Sequence, residues 1–164
     1  LDSEDQPIVW RGAMIANAVK EFWSNVRWGD VDYMFVDMPP GTGDVPLTVF
    51  QSLPVDAIVV VTTPQQLVRV IVEKAVKFAA GLKVAVLGLV ENMSYVKCPD
   101  CSREIKVFGE SNADKIAKEY GIPLLARIPM EERITAAVDS GAIEELDEEY
   151  LDATASAIEG LKKE

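Results

Sequence analysis

The chain is predicted to fold as a doubly wound α/β domain, a mainly parallel sheet with helices on both faces. Residues 55–64, 83–90 and 123–128 are short, nearly continuous apolar runs, the pattern of strands buried on both sides. Between them lie segments of helical periodicity, and the order strand, helix, strand dictates parallel pairing through right-handed crossovers. A further apolar run, residues 33–36, ends at a lone carboxylate, Asp37, and is followed by Pro39, Pro40, Gly41 and Gly43. That places an acid at the carboxyl end of a strand, where open α/β sheets bind ligands. The same run also fits any strand leaving a core for a turn.

Taken in order, Pro7 to Gly12 is a short extended lead. From Ala13 to Arg27, Ile15, Val19, Phe22, Trp23 and Val26 recur at helical spacing, which predicts an amphipathic helix packed on a sheet. After the Asp37 loop, Val45 to Leu53 reads as a helix with Pro46 tolerated in its first turn. The second strand, residues 55–64, is too apolar to face water on either side. Gln65 to Ala80 follows as a helix carrying Val68, Ile71, Val72, Ala75, Val76 and Ala79 on one stripe, with Gly81 as its stop. The third strand, 83–90, runs into Asn92, then Cys98-Pro99-Asp100-Cys101, then a β-like stretch at 105–108. Ser111 is placed to cap a helix through Tyr120, with Asp114 as its capping-box partner and Gly121 as its stop. A fourth strand at 123–128, a loop at 129–133 and two acidic helices complete the reading, and a single domain over 1–164 is the simplest account.

Composition narrows the chemistry. The 164 residues carry 27 acidic and 16 basic side chains, and from Glu131 onward there are 11 acids against 3 bases. Such a chain offers no footprint for a phosphate backbone, which argues against nucleic acid as a partner, and the acidic end reads as a solvated helix face. There is no histidine. Ser-His-Asp and Cys-His machinery and His-based zinc sites are thereby excluded. No apolar run approaches the ~20 residues that cross a bilayer, and the first residues lack the pattern of a signal peptide, so a cytoplasmic setting without membrane attachment is expected.

Two phosphate-binding patterns are missing. No glycine is followed five residues later by Gly-Lys, so there is no G-x-x-x-x-G-K-[ST] cradle, and Pro46 stands where a dinucleotide fingerprint needs its third glycine. Cys98 and Cys101 form C-P-x-C. Two thiols cannot complete a tetrahedral site, which leaves a redox pair, an inert reduced pair, or half of a site completed by another copy. No helix follows the pair to lower a thiol pKa, and the β-like stretch after it suits a metal knuckle better.

The string Asp37-Met38-Pro39-Pro40-Gly41-Thr42-Gly43-Asp44 resembles the DxPPGTGD signature of the Mrp/ApbC family of iron–sulfur carrier P-loop ATPases, relatives of MinD and nitrogenase iron protein. Trp10-Arg11-Gly12-Ala13-Met14 is similar to the family's W-R-G-P-M, with Ala13 replacing proline. Val90-Glu91-Asn92-Met93-Ser94 matches V-E-N-M-S, Phe108-Gly109-Glu110 matches F-G-E, and Ile128-Pro129-Met130-Glu131 is similar to I-P-L-D, with Glu131 replacing Asp. The resemblance covers nearly the whole chain but only about the second half of a typical member, whose deviant Walker A loop lies in its first half.

The resemblance implies a partial P-loop NTPase fold and an ATP hydrolase in the intact protein, with this chain alone inactive. Asp37 would organise Mg2+ and the attacking water, Gly41 and Gly43 would let the loop approach the γ-phosphate, and Asp44 would complete that catalytic loop. Asn92, Pro129 and Glu131 would line the adenine of ATP. Cys98 and Cys101 would bridge a [4Fe–4S] cluster across a homodimer, for delivery to apo iron–sulfur proteins. Two alternatives stand beside it. A MinD-like positioning ATPase lacks support in the absence of a basic amphipathic C-terminal helix, and a metal-binding scaffold without hydrolysis would use the thiols alone.

Overall fold

A computed structural model describes residues 12–65, 68–147 and 149–161. The chain divides into two compact units, Leu1–Val55 and Asp56–Glu164. The expected lead with Trp10 and Arg11 lies outside the described residues, as does the start of the predicted helix at Gln66 and Leu67.

In the first unit, helix α1 (Gly12–Asn25) packs against α2 (Asp44–Ser52). Both fall where the periodicity places them, and Pro46 sits buried in the first turn of α2, where its missing N–H costs nothing. The predicted strand does not form. Residues 31–36 are irregular and exposed, with Phe35 75% accessible, and so Asp37 is reached through irregular chain rather than off a buried strand. A strand exists through its ladder, and no strand forms among the described residues of this unit to supply one. Within this unit α1 therefore packs on α2, with no strand among its described residues to lie on. Its apolar stripe, Ile15, Phe22, Trp23 and Val26, stays largely exposed.

In the second unit, β1 (Ala57–Thr62), β2 (Ala85–Glu91) and β5 (Leu124–Arg127) form a parallel sheet in the order β1-β2-β5. Helix α3 (Val68–Gly81) connects β1 to β2, and α4 (Ala113–Tyr120) leads into β5. The two helices pack on each other and on the sheet, and their shared core is Val60, Val72, Leu89, Ala113 and Ile116. Helix α6 (Asp152–Glu159) packs on β2 and β5 while touching neither α3 nor α4, which puts it on the opposite face. It does not reach β1. Val61 is accordingly 62% exposed while Val60 and Thr62 are buried, so β1 is covered on one face only and not on both as its composition predicts.

Three local details differ from the predictions. Gly81 is the last residue of α3, but the left-handed residue that closes the helix is Lys83 (φ 60°), whose successor Val84 donates its N–H back to Ala79. Of the β-like stretch at 105–108 only Ile105 lies in a strand, β4 (Glu104–Ile105), paired antiparallel with β3 (Val96–Lys97). The Ser111 hydroxyl does accept the N–H of Ala113, yet Asp114 turns away from a capping box and pairs with Arg127. Gly121 ends α4 in the left-handed conformation as expected. Helix α5 (Glu132–Ser140) and α6 are the two closing helices, with a short 3-10 turn, Ile143–Glu145, between them.

Candidate functional site

The carboxyl ends of the three parallel strands are laced together by the loops that leave them. Asn92 donates its N–H to the carbonyl of Thr62 at 2.7 Å, and Ile128 donates to Glu91 at 2.8 Å. Ser94 donates to Ile128 at 2.9 Å and Met130 to Tyr95 at 2.8 Å. The loop after β2 and the loop after β5 therefore run side by side, bringing the segments that carry Asn92 and Pro129 together at one sheet edge. Asn92 is half-buried, and its Oδ1 accepts the N–H of Met93 at 2.8 Å, a turn in which Met93 takes φ 55°. Pro129 is buried.

Glu131 follows on the same loop. Its carboxylate accepts from Arg133 Nε and from the Tyr150 hydroxyl, the latter at 2.9 Å, and Arg133 also donates to Tyr150 Oη at 3.0 Å. The hydrogen bond from Arg133 holds the Glu131 carboxyl below the usual carboxylate range, against a smaller opposing effect of burial. Glu131 is thus ionised and committed to its own chain's donors.

The cysteines stand at the tip of the β3–β4 hairpin. Cys98 donates its N–H to the Arg103 carbonyl at 2.9 Å and accepts that of Ser102 on its own carbonyl at 2.9 Å, a tight turn completed by Ser102 at φ 56°. Both thiols are free, Cys98 half-buried and Cys101 exposed. Backbone N–H groups of Asp100 and Cys101 aimed at the Cys98 sulfur, together with the Cys101 thiol, pull the Cys98 pKa down. Amides directed at a sulfur favour its thiolate, the form that ligates metals, so this donor set suits a soft metal. Arg103, Glu104, Ile105, Lys106 and Glu110 line an open cavity of about 620 Å³ beside the pair. Among the described residues no group of three or more Cys, Asp or Glu side chains converges as a complete metal site. The hairpin follows β2, which is the middle of the three strands. It reaches solvent because it is an excursion of its own.

Asp37, Gly41, Gly43 and Asp44 belong to the first unit. Asp37 and Asp44 are exposed. Gly41 has φ 101°, a conformation that side chains rarely adopt, so the bend after the two prolines requires glycine. Gly43 caps α2 with ordinary dihedrals, and a Cβ there would meet nothing within 4 Å among the described residues. None of the described residues therefore crowds the N-terminus of α2 at this position. A Cβ at Gly12 would come within 2.5 Å of Asp44 Oδ2, so the start of α1 and the start of α2 are in close contact.

Four side chains meet at one point that the sequence does not single out as a site. Glu91 is fully buried, and Ser94, Ser111 and Arg127 all address its carboxylate. The signal was present, since an ionisable residue closing a run as apolar as 84–90 needs buried partners.

A parallel sheet with crossover helices, whose strand-end loops hold the candidate binding residues, is the architecture of the nucleotide-binding α/β proteins. The chain belongs to the P-loop NTPase family described as ParA, NUBPL iron-transfer P-loop NTPase, whose model matches residues 1–162. An iron-sulfur cluster carrier protein of Pyrococcus abyssi is 44% identical over 138 residues, covering 84% of this chain and 47% of that protein. Proteins of the same name from Clostridium perfringens and Methanococcus maripaludis are 38% and 36% identical, covering 88% and 100% of this chain and 51% and 59% of theirs. The chain therefore spans about half the length of the curated relatives it matches. Among solved structures, a nucleotide-binding protein of Archaeoglobus fulgidus, in complex with ADP and with cobalt found in it, superposes with TM-score 0.75 at 39% identity. The match covers 92% of this chain and 59% of that one.

Proposed function

We propose that this chain is part of an ATP-dependent iron–sulfur cluster carrier, in which the cluster is cargo and nucleotide binding governs its hand-over to apo iron–sulfur proteins. The observation that carries the reading is the Cys98–Cys101 hairpin tip, with free thiols and amides turned toward the Cys98 sulfur. Membership of an iron-transfer family and relatives named as cluster carriers support it. Two thiolates per chain satisfy half of a [4Fe–4S] cluster, so two copies in a homodimer, each offering Cys98 and Cys101, make the full set. In the intact protein Asp37 organises Mg2+ and the attacking water for ATP hydrolysis, Gly41 and Gly43 admit the γ-phosphate, and Asp44 completes the loop. Asn92, Pro129 and Glu131 border the adenine. Among the described residues no helix is long and apolar enough to cross a membrane, and we place the protein in the cytoplasm.

The test is anaerobic reconstitution with iron and sulfide, followed by iron content, visible absorbance and mass on one sample. One cluster per two chains is expected, and Cys98→Ala or Cys101→Ala should each abolish both the chromophore and the cluster-linked dimer. A brown monomer, or a Cys98→Ala variant that still holds four irons per dimer, would show that the ligands lie elsewhere.

A further inference from the structure

The excursion that carries the two thiols leaves β2 after Glu91 and returns to the core at α4, which begins at Ala113. It has little apolar anchoring of its own. Ile105 is 49% exposed and Val107 57%, and the paired strands β3 and β4 are two residues each, too short to be stable alone. What fixes it is polar and sits at its base. Ser94, at the start, donates its hydroxyl to Glu91 Oε2 at 2.6 Å, and Ser111, at the end, donates to Glu91 Oε1. The Ser111 oxygen at the same time accepts the first N–H of α4, from Ala113 at 3.0 Å. Arg127 Nε lies 3.4 Å from Glu91 Oε2 and supplies the positive charge that a fully buried carboxylate needs.

We propose that Glu91 is a positioning residue that closes the base of the thiol-bearing loop, its two carboxylate oxygens each holding one end and Arg127 tying the same group to β5. The loop then has one place on the sheet edge, beside the 128–131 segment, rather than a range of them. What the loop is held in place to do rests on the carrier reading, but the clamp itself is tested without metal.

Hydrogen exchange read by mass spectrometry on the metal-free chain separates a local clamp from general support. Ser94→Ala and Ser111→Ala should each speed exchange of amides 96–110 roughly tenfold, the scale of losing one charge-assisted hydrogen bond, while β1 and α3 stay at their original rates. Ser111→Thr keeps the hydroxyl and should exchange as the unmodified chain does. Glu91→Gln should loosen both ends at once, and the serine variants decide the matter if that variant does not fold. Unchanged rates at 96–110, equal acceleration throughout the unit, or Ser111→Thr as fast as Ser111→Ala would each overturn the clamp. Failure to load iron would overturn the carrier reading while leaving the exchange result to stand on its own.

Discussion

The hydroxyl of Tyr150 donates to the carboxylate of Glu131 at 2.9 Å, across 19 residues of chain, and so ties the approach to α6 to the loop after β5. Arg133 donates to both partners, which makes a closed triangle of one acid, one base and one phenol.

The triangle predicts a pH dependence. Glu131 has a folded pKa held below its ordinary 4.5, first by Arg133 and, after the opposing effect of burial, by Tyr150. The stabilisation is therefore complete above the ordinary value and is lost as pH falls through the depressed one, because the unfolded chain takes up the proton first. Tyr150→Phe removes one donor, costs about 0.5–1.5 kcal/mol at neutral pH, and moves the acid unfolding midpoint upward. Urea denaturation from pH 7 down to pH 3 measures both. A variant whose stability gap stays constant across that range would contradict the assignment.

Gly88 lies where β2 and β5 approach closely. A Cβ there would sit 2.6 Å from both Leu125 Cγ and the Pro123 carbonyl oxygen, and backbone cannot yield as a flexible side chain does. Gly88→Ala should destabilise by about 1–3 kcal/mol through overpacking, read as a lowered urea midpoint with the slope unchanged.

Gly43→Ala is the contrasting case. With ordinary dihedrals and none of the described residues within 4 Å of the added Cβ, it should leave stability within about 0.5 kcal/mol of the original. In the full-length protein the same substitution should lower ATP turnover, since the added methyl occupies space proposed for the γ-phosphate. Unchanged turnover would remove Gly43 from the site.

Asp37→Asn in the full-length protein should abolish most Mg2+-dependent hydrolysis without altering the melting temperature, because Asp37 is exposed and its charge is needed at the metal rather than in packing. Steady-state ATPase rates against Mg2+ concentration, with a thermal melt, test it. A normal rate would sink the metal role.

The 164-residue chain by itself should bind ATP weakly, since it contains no G-x-x-x-x-G-K-[ST] cradle to supply amides and a lysine to the phosphates. Titration calorimetry giving a micromolar dissociation constant would reverse that expectation.

The amino-acid sequence alone determined the helices at 12–25, 44–52, 68–81 and 113–120 and the strands β1, β2 and β5, because periodicity and glycine stops are local properties. It also determined the thiol pair and the glycine bend at Gly41, whose chemistry resides in residue type. Only the tertiary structure decided the rest. Residues 31–36 have a strand's composition but form none here, since pairing depends on a neighbour that no local pattern encodes. β1 is buried on one face because α6 stops at β2 and β5. Asp114, three residues past Ser111, satisfies the capping pattern on paper, yet folding brings Arg127 within reach and the ion pair prevails. Glu91 reads in sequence as the polar end of a strand, and it becomes a buried hub only because Ser94 and Ser111, from the two ends of the thiol-bearing loop, and Arg127, from β5, converge on it. A buried charge must be satisfied by whatever the fold brings to it, and that is decided by distance in space rather than along the chain.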